Sequence, residues 1–297
     1  MTVDDLGWPL TCGDASSEGA HVYLIRKKSL VQVVGPPKLP SITPSLSSCV
    51  VGEGTRRLAW EGLLNARDLG GYRTADGRET RWGAIVRSDN LTPLTAAGRA
   101  ALLAYGVRSI VDLRRPEEAR EHPNPFAEPG SHGLGYLNVP FEDPAVYAFS
   151  EEPESLTVVY QLMLDHYRSR VADVMTSVAD APPGGVLIHC MGGKDRTGLV
   201  SALLLDLAGV DRETIAADYA VTQDYLRERD DEWVRTGPGE RAERERLVAK
   251  FSAKAEVMWA VLAQIDDCFG SVERYLLQAG VPADRITGLR RRLVAGS

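Results

Sequence analysis

Val186-Leu187-Ile188-His189-Cys190-Met191-Gly192-Gly193-Lys194-Asp195-Arg196-Thr197-Gly198-Leu199-Val200 is the stretch on which the fold turns. Residues 186–189 read as a short buried strand, introduced by Pro182-Pro183-Gly184-Gly185. Gly192 and Gly193 then turn the chain, and residues 197–207 read as a buried helix stopped by Gly209. A strand entering a helix through a glycine turn gathers the turn's N–H groups and the helix N-terminus around one point. Such a point binds anions, phosphate above all. A cysteine at its edge is favoured as the thiolate by the same field. Six positions on, Arg196 offers a planar fork matched to two phosphate oxygens. Nucleophile, anion cradle and charge clamp therefore share seven consecutive positions, and phosphoryl transfer asks for little beyond positioning and electrostatic stabilisation. Thr197 adds a hydroxyl able to bond the thiolate and help it leave.

Spacing alone does not carry this reading, because Cys268 and Arg274 repeat it in Cys-Phe-Gly-Ser-Val-Glu-Arg. That copy follows the acidic helix end Ile265-Asp266-Asp267, with no glycine turn leading from a strand into a helix. A free cysteine is most often a small buried hydrophobe, but Lys194, Asp195 and Arg196 beside Cys190 fit that use poorly. A nucleotide-binding P-loop is excluded, since Asp195 stands where Ser or Thr would hold magnesium. Two rivals remain. A sulfurtransferase would not need Arg196 and Thr197 together, and a non-catalytic phosphate-binding module would not need Cys190.

Outward from the loop the pattern is α/β. Short strands are expected at residues 84–87, 107–113 and 136–139, with a helix opening at Thr95 and ending at Gly106. Apolar residues at helical spacing predict one long helix over 156–179, and further helices at 212–229, 239–251, 253–267, 272–278 and 283–293. Residues 1–57 are unlike the rest. A strand-like run at 21–34 ends in Gly35-Pro36-Pro37, and a polar, serine-rich linker follows, so this part reads as an extension or small hairpin before a catalytic domain at 58–297.

The composition limits the partners. The 297 residues are 44% hydrophobic and 25% charged, ordinary for a globular protein, and the net charge of −7 disfavours nucleic acid. No run approaches the roughly 18 apolar residues of a membrane span, and the acidic start Met1-Thr2-Val3-Asp4-Asp5 is unlike a secretory signal, so a cytoplasmic location is expected. The scattered Cys12, Cys49, Cys190 and Cys268, and five histidines without i, i+4 pairing, make neither a disulfide framework nor a metal centre.

Residues 189–198 resemble the signature of the cysteine-dependent protein tyrosine phosphatases, and Gly-Lys-Asp-Arg-Thr-Gly resembles the atypical bacterial branch of the mycobacterial PtpB type, which acts on phosphotyrosine and phosphoinositides. Asn65-Ala66-Arg67-Asp68-Leu69-Gly70-Gly71, Arg87-Ser88-Asp89-Asn90-Leu91 and Val111-Asp112-Leu113-Arg114 are similar to its other motifs, as are Ala216-Ala217-Asp218-Tyr219 and Gly270-Ser271-Val272-Glu273-Arg274-Tyr275-Leu276. The resemblance implies a central mixed sheet flanked by helices and a helical C-terminal lid at about 219–252. It implies phosphate held by Met191, Gly192, Gly193, Lys194, Asp195 and Arg196, and a reaction through a phosphocysteine on Cys190 with no metal or cofactor. His189, Thr197 and Asp68 take supporting parts. The general acid is Asp143, after Val139-Pro140-Phe141-Glu142, or Asp195 inside the loop, with Glu142 a competitor to Asp143. Phosphotyrosine protein is the first expected substrate, with phosphoinositide or phosphoserine/threonine second, and Lys194 is the cation that would favour polyanions.

Overall fold

The computed structural model describes residues 55–128, 133–142 and 155–294. The strand-like run at 21–34, the linker after it and Asp143 lie outside the described residues. Ten helices and five strands form among those described. The strands are β1 (Arg67–Asp68), β2 (Ile85–Ser88), β3 (Val107–Asp112), β4 (Gly135–Asn138) and β5 (Gly185–His189). They make one mixed sheet in the order β1-β2-β5-β3-β4, with β1 antiparallel to β2 and the rest parallel.

The central place of β5 explains its composition. Val186 and Ile188 join one core, with Ile85 and Val111, while Leu187 joins another, with Val86, Ile110, Leu102 and Phe126. A parallel strand covered on both faces reads as a continuous apolar run rather than an alternation. Ser88 of β2 and Asp112 of β3 pair with His189. The segment after His189 therefore leaves the sheet at the carboxyl ends of three parallel strands, where open α/β sheets place their ligands.

α1 (Ala96–Ala104) and α2 (Pro116–Glu121) flank β3 in sequence. The expected long helix is two, α3 (Leu156–His166) and α4 (Arg168–Asp180), joined at Tyr167, whose φ of −107° and ψ of 28° break the helical run. Tyr167 is buried edge-on against Phe141. Its apolar character keeps the 3.6-residue spacing in phase through the break, so periodicity does not reveal the bend. α5 (Asp195–Leu207) is buried along nearly its whole length. α6 (Arg212–Thr236) is one unbroken helix beyond the expected end at 229, so the region beginning at 219 starts in mid-helix. α7 (Arg241–Lys250), α8 (Ala255–Phe269), α9 (Val272–Ala279) and α10 (Ala283–Leu293) complete the chain. Cys268 lies in α8 and Arg274 in α9, on two different helices.

The folded unit begins before residue 58. The Arg56 carbonyl accepts the Asp68 N–H, and the Arg56 guanidinium donates to the Gly70 and Gly71 carbonyls above the Tyr72 ring. No helix among the described residues is long and apolar enough to cross a membrane.

Candidate active site

Cys190 is buried between β5 and α5, at 2% exposure. Four successive carbonyls around it are drawn outward. His189 Nδ1 lies 3.2 Å from the Cys190 oxygen, and the Asn90 N–H donates to the Met191 oxygen at 3.1 Å. Asn65 Nδ2 donates to the Gly192 and Gly193 oxygens at 3.0 and 3.1 Å, and Arg87 Nη2 adds a second bond to Gly193 at 2.9 Å. In a trans peptide the N–H points opposite to the C=O. The N–H groups of Met191, Gly192, Gly193 and Lys194 are therefore turned away from these donors, where they join the free N–H groups of the first turn of α5. Gly193 makes the turn. Its φ is +63°, and a Cβ there would lie 2.6 Å from the Ser88 carbonyl oxygen.

The donors are themselves fixed. Asp89 accepts the N–H groups of Leu64 and Asn65, both at 3.1 Å. Arg67 donates to Asn65 Oδ1 at 2.6 Å, which turns the Asn65 amide nitrogen toward the loop. Behind them Asp218 of α6 binds Arg67 at 2.8 Å, Arg87 at 2.7 Å and the Tyr72 hydroxyl at 2.9 Å. Burial opposes its charge, but the two guanidiniums outweigh burial and hold the Asp218 carboxyl well below the usual range.

Arg196 is clamped by Glu118 of α2, with Nη1 to Oε2 at 2.7 Å and Nη2 to Oε1 at 2.9 Å; Glu142 lies 3.8 Å from Nη1. Burial works against the Arg196 cation, yet Glu118, Cys190 and Glu142 together raise its proton affinity above that of an ordinary arginine. His189 is fully buried. The Asn124 side-chain Oδ1 accepts the Phe126 N–H, so its Nδ2 faces His189 Nε2 at 3.0 Å. Nε2 is then the acceptor and Nδ1 carries the hydrogen toward the Cys190 carbonyl. Burial, opposed by Asp112 and aided by Arg114, lowers the His189 pKa to about 4. The ring is neutral at pH 7 and acts as a scaffold donor. Asp112 is a fully paired buried carboxylate, bound by Arg114 at 2.6 Å and the Tyr136 hydroxyl at 2.8 Å.

Asp195 opens α5 with its side chain half exposed. Its Oδ1 accepts the Tyr160 hydroxyl at 2.7 Å, and Tyr160 lies 2.8 Å from the Tyr219 hydroxyl. Since a carboxylate only accepts, Tyr160 donates to Asp195 and Tyr219 donates to Tyr160. Lys194 Nζ donates to the Phe251 carbonyl at 2.8 Å and lies 3.6 Å from Asp195 Oδ1. The Thr197 hydroxyl, expected on the thiolate, is buried with no hydrogen-bond partner among the described residues.

Asp68 does not reach the loop. Its oxygens accept the Gly70 N–H at 2.6 Å, the Gly83 N–H at 2.7 Å and the Tyr105 hydroxyl, because β1 points it toward the start of β2. Asn65, three residues earlier, makes the contact expected of Asp68. Glu118 was not anticipated, since nothing separates it in sequence from Glu117 and Glu121. Asp218 does have a signal, as a lone acid among the apolar positions of Ile215-Ala216-Ala217-Asp218-Tyr219.

The chain is similar to known proteins. Residues 58–295 match the model of the "Tyrosine phosphatase family". A tyrosine-protein phosphatase of Nostoc commune is 33% identical over 217 residues, 71% of this chain and 74% of its own length. The triple specificity protein phosphatase PtpB of Mycobacterium tuberculosis is 30% identical over 274 residues, covering 77% of this chain and 96% of its own length. A match across nearly all of the described fold is membership, and the protein is a phosphatase of the tyrosine phosphatase family.

Proposed function

We propose that the protein hydrolyses phosphotyrosine in proteins through a phosphocysteine on Cys190. The observation that carries this is the run of outward-bound carbonyls from Cys190 to Gly193, which turns consecutive N–H groups to one side of the loop beside the clamped Arg196. The Cys190 thiolate attacks phosphorus while these N–H groups and Arg196 hold the three peripheral oxygens. The bond to the leaving oxygen breaks, and a carboxylic acid protonates that oxygen. Water then attacks the phosphocysteine, the same carboxylate takes its proton, and the thiolate departs with inorganic phosphate as the second product.

Asp195 and Asp143 are the two acids in this scheme. Asp195 is supported by its place at the loop and by Tyr160, which engages Oδ1 and leaves Oδ2 for the leaving oxygen. Asp143 is supported by its place one residue after Glu142, which approaches Arg196. The triple specificity named for the M. tuberculosis relative supports a second substrate class here, phosphoserine/threonine or phosphoinositide. Helices α6 and α7 form the lid of this proposal, supported by the contact of Lys194 with Phe251 just after α7. A nucleophile that must stay reduced supports a cytoplasmic setting.

The test is hydrolysis of phosphotyrosine peptide, phosphoserine peptide and phosphoinositide, with EDTA present, by wild type and Cys190→Ser. Turnover that survives Cys190→Ser, or that EDTA abolishes, would sink the mechanism. Preference for phosphoinositide over peptide would overturn the substrate ranking alone.

A further inference from the structure

Arg229 stands on the third turn of α6 beyond Asp218, far from Cys190 in sequence, yet its guanidinium reaches the phosphate loop. A Cβ built on Gly192 would meet Arg229 Nη1 at 3.3 Å and Nη2 at 3.8 Å. Asp218, Thr222, Tyr225 and Arg229 fall at helical spacing along α6. The first two grip Arg67 behind the loop, and Tyr225 lies beneath the Arg57 guanidinium. The same helix face that builds the scaffold thus ends in a cation at the loop's rim, packed against a residue whose lack of a side chain lets it approach.

That cation has capacity to spare. Of its five N–H donors, the hydrogen bond seen among the described residues goes to Asp230 at 3.2 Å, a sequence neighbour. The Asp89 carboxylate attracts it as well, but Asp89 is buried and already takes the Leu64 and Asn65 N–H groups. Arg229 is itself part-exposed. The other loop cations are committed, Arg196 to Glu118 and Lys194 to the Phe251 carbonyl and Asp195.

We propose that Arg229 is a specificity-determining residue that binds an acidic side chain flanking the phosphotyrosine of a peptide substrate. A guanidinium pairs with a carboxylate through two parallel N–H···O bonds. One available cation matches one carboxylate better than a second phosphate dianion, which would call for two. With no side chain on Gly192, the guanidinium lies directly against the loop backbone, at the edge of the bound phosphotyrosine. The flanking carboxylate keeps its charge throughout the reaction, so its contact stabilises bound substrate and transition state alike and acts on KM rather than kcat.

This inference rests on the phosphotyrosine reading above, and the experiment separates the two. Three phosphotyrosine peptides, identical except for glutamate, glutamine or lysine beside the phosphotyrosine, are compared by kcat/KM with wild type, Arg229→Gln, Arg229→Lys and Cys190→Ser. Wild type is expected to favour the glutamate peptide over the glutamine peptide by about threefold to tenfold, the range of a partly screened charge pair. The preference resides in KM and shrinks at high salt. Arg229→Gln brings the two peptides to parity, and Arg229→Lys keeps part of the preference. The two mutants bracket the case in which Arg229 only braces α6, because a bracing loss lowers all three peptides together and leaves their ratio at the wild-type value. That result, or equal use of the three peptides by wild type, overturns the role of Arg229 and leaves the phosphatase reading intact. Failure of wild type to hydrolyse any of the three overturns both. A fourth peptide with phosphoserine at that position tests the polyanion alternative: a stronger preference for it than for glutamate would overturn the proposal as stated.

Discussion

Asp218→Asn is expected to destabilise the fold and empty the active site of its order at the same time. In the native protein one carboxylate serves two guanidiniums, each about 1% exposed, through contacts of 2.8 and 2.7 Å, and it also accepts the Tyr72 hydroxyl. An asparagine keeps one accepting oxygen and turns an NH2 group toward a cation. Removing one partner of a buried ion pair costs about 3–5 kcal/mol, and here two cations lose the same partner, which places the cost toward the upper end. Against a total stability of roughly 5–15 kcal/mol the loss is large, and it corresponds to a melting temperature lower by roughly 6–20 °C for a domain of this size. Denaturant titration gives the free energy, and kcat/KM on an aryl phosphate reports the loop in the remaining folded fraction. The carboxyl's folded pKa is depressed, so its contribution is complete above the unfolded value of about 3.9 and fades only as the pH falls through the lower folded value. The cost of Asp218→Asn is therefore constant from pH 5 to 8. A loss below about 1 kcal/mol, or one that varies steeply across that range, would refute the scheme of two buried cations on one anion.

Two further outcomes follow from neighbouring contacts. Glu118→Gln removes a charge-assisted, two-pronged hold on Arg196, worth about 1.5–3 kcal/mol in such bonds; kcat/KM is expected to fall about 10- to 100-fold, mostly in kcat, and a fall under about threefold would show that Arg196 is held by other means. His189 has its pKa lowered by burial to about 4 from 6.5, so between these values the unfolded chain binds a proton that the native one does not. Its share of stability, on the order of 3 kcal/mol, is complete above pH 6.5 and declines as the pH falls toward 4. His189→Asn should flatten the pH dependence of denaturant stability in that window, and an unchanged slope would show that the ring takes up a proton in the native state.

The sequence reveals some parts of this site and hides others for physical reasons. Cys190, the glycines and Arg196 announce themselves because strand, turn and helix follow one another along the chain, and local pattern is what a sequence displays best. β5 is equally legible, since burial on both faces leaves an unbroken apolar run. Glu118 is invisible because its partner is an arginine 78 residues away, and a short charged helix has no feature that singles out one of its acids. The division of α3 from α4 is hidden for the opposite reason, as Tyr167 continues the apolar rhythm through the bend. The part expected of Asp68 went to Asn65 because β1, only two residues long, decides which side chain faces the loop. That facing depends on pairing with β2, which the segment's own composition does not encode.

The loop's donors come from far along the chain. Asn65 reaches across 127 residues to Gly192 and Arg87 across 106 to Gly193, while Asp218 ties both arms to α6 over 151 and 131 residues. A peptide carrying the ten residues from His189 to Gly198 would have the letters of the motif without its curvature. Grafting the segment onto another strand–helix turn should bring a cysteine and little turnover. The ties of Asp218 to Arg67 and Arg87 span more of the chain than the pairing of β5 with β2 and β3, and the longest loops are the costliest to close, so the sheet is expected to pair while the site is still inert. Recovery of catalysis on refolding then times the docking of α6, and a phosphatase assay becomes a clock for the last long-range step.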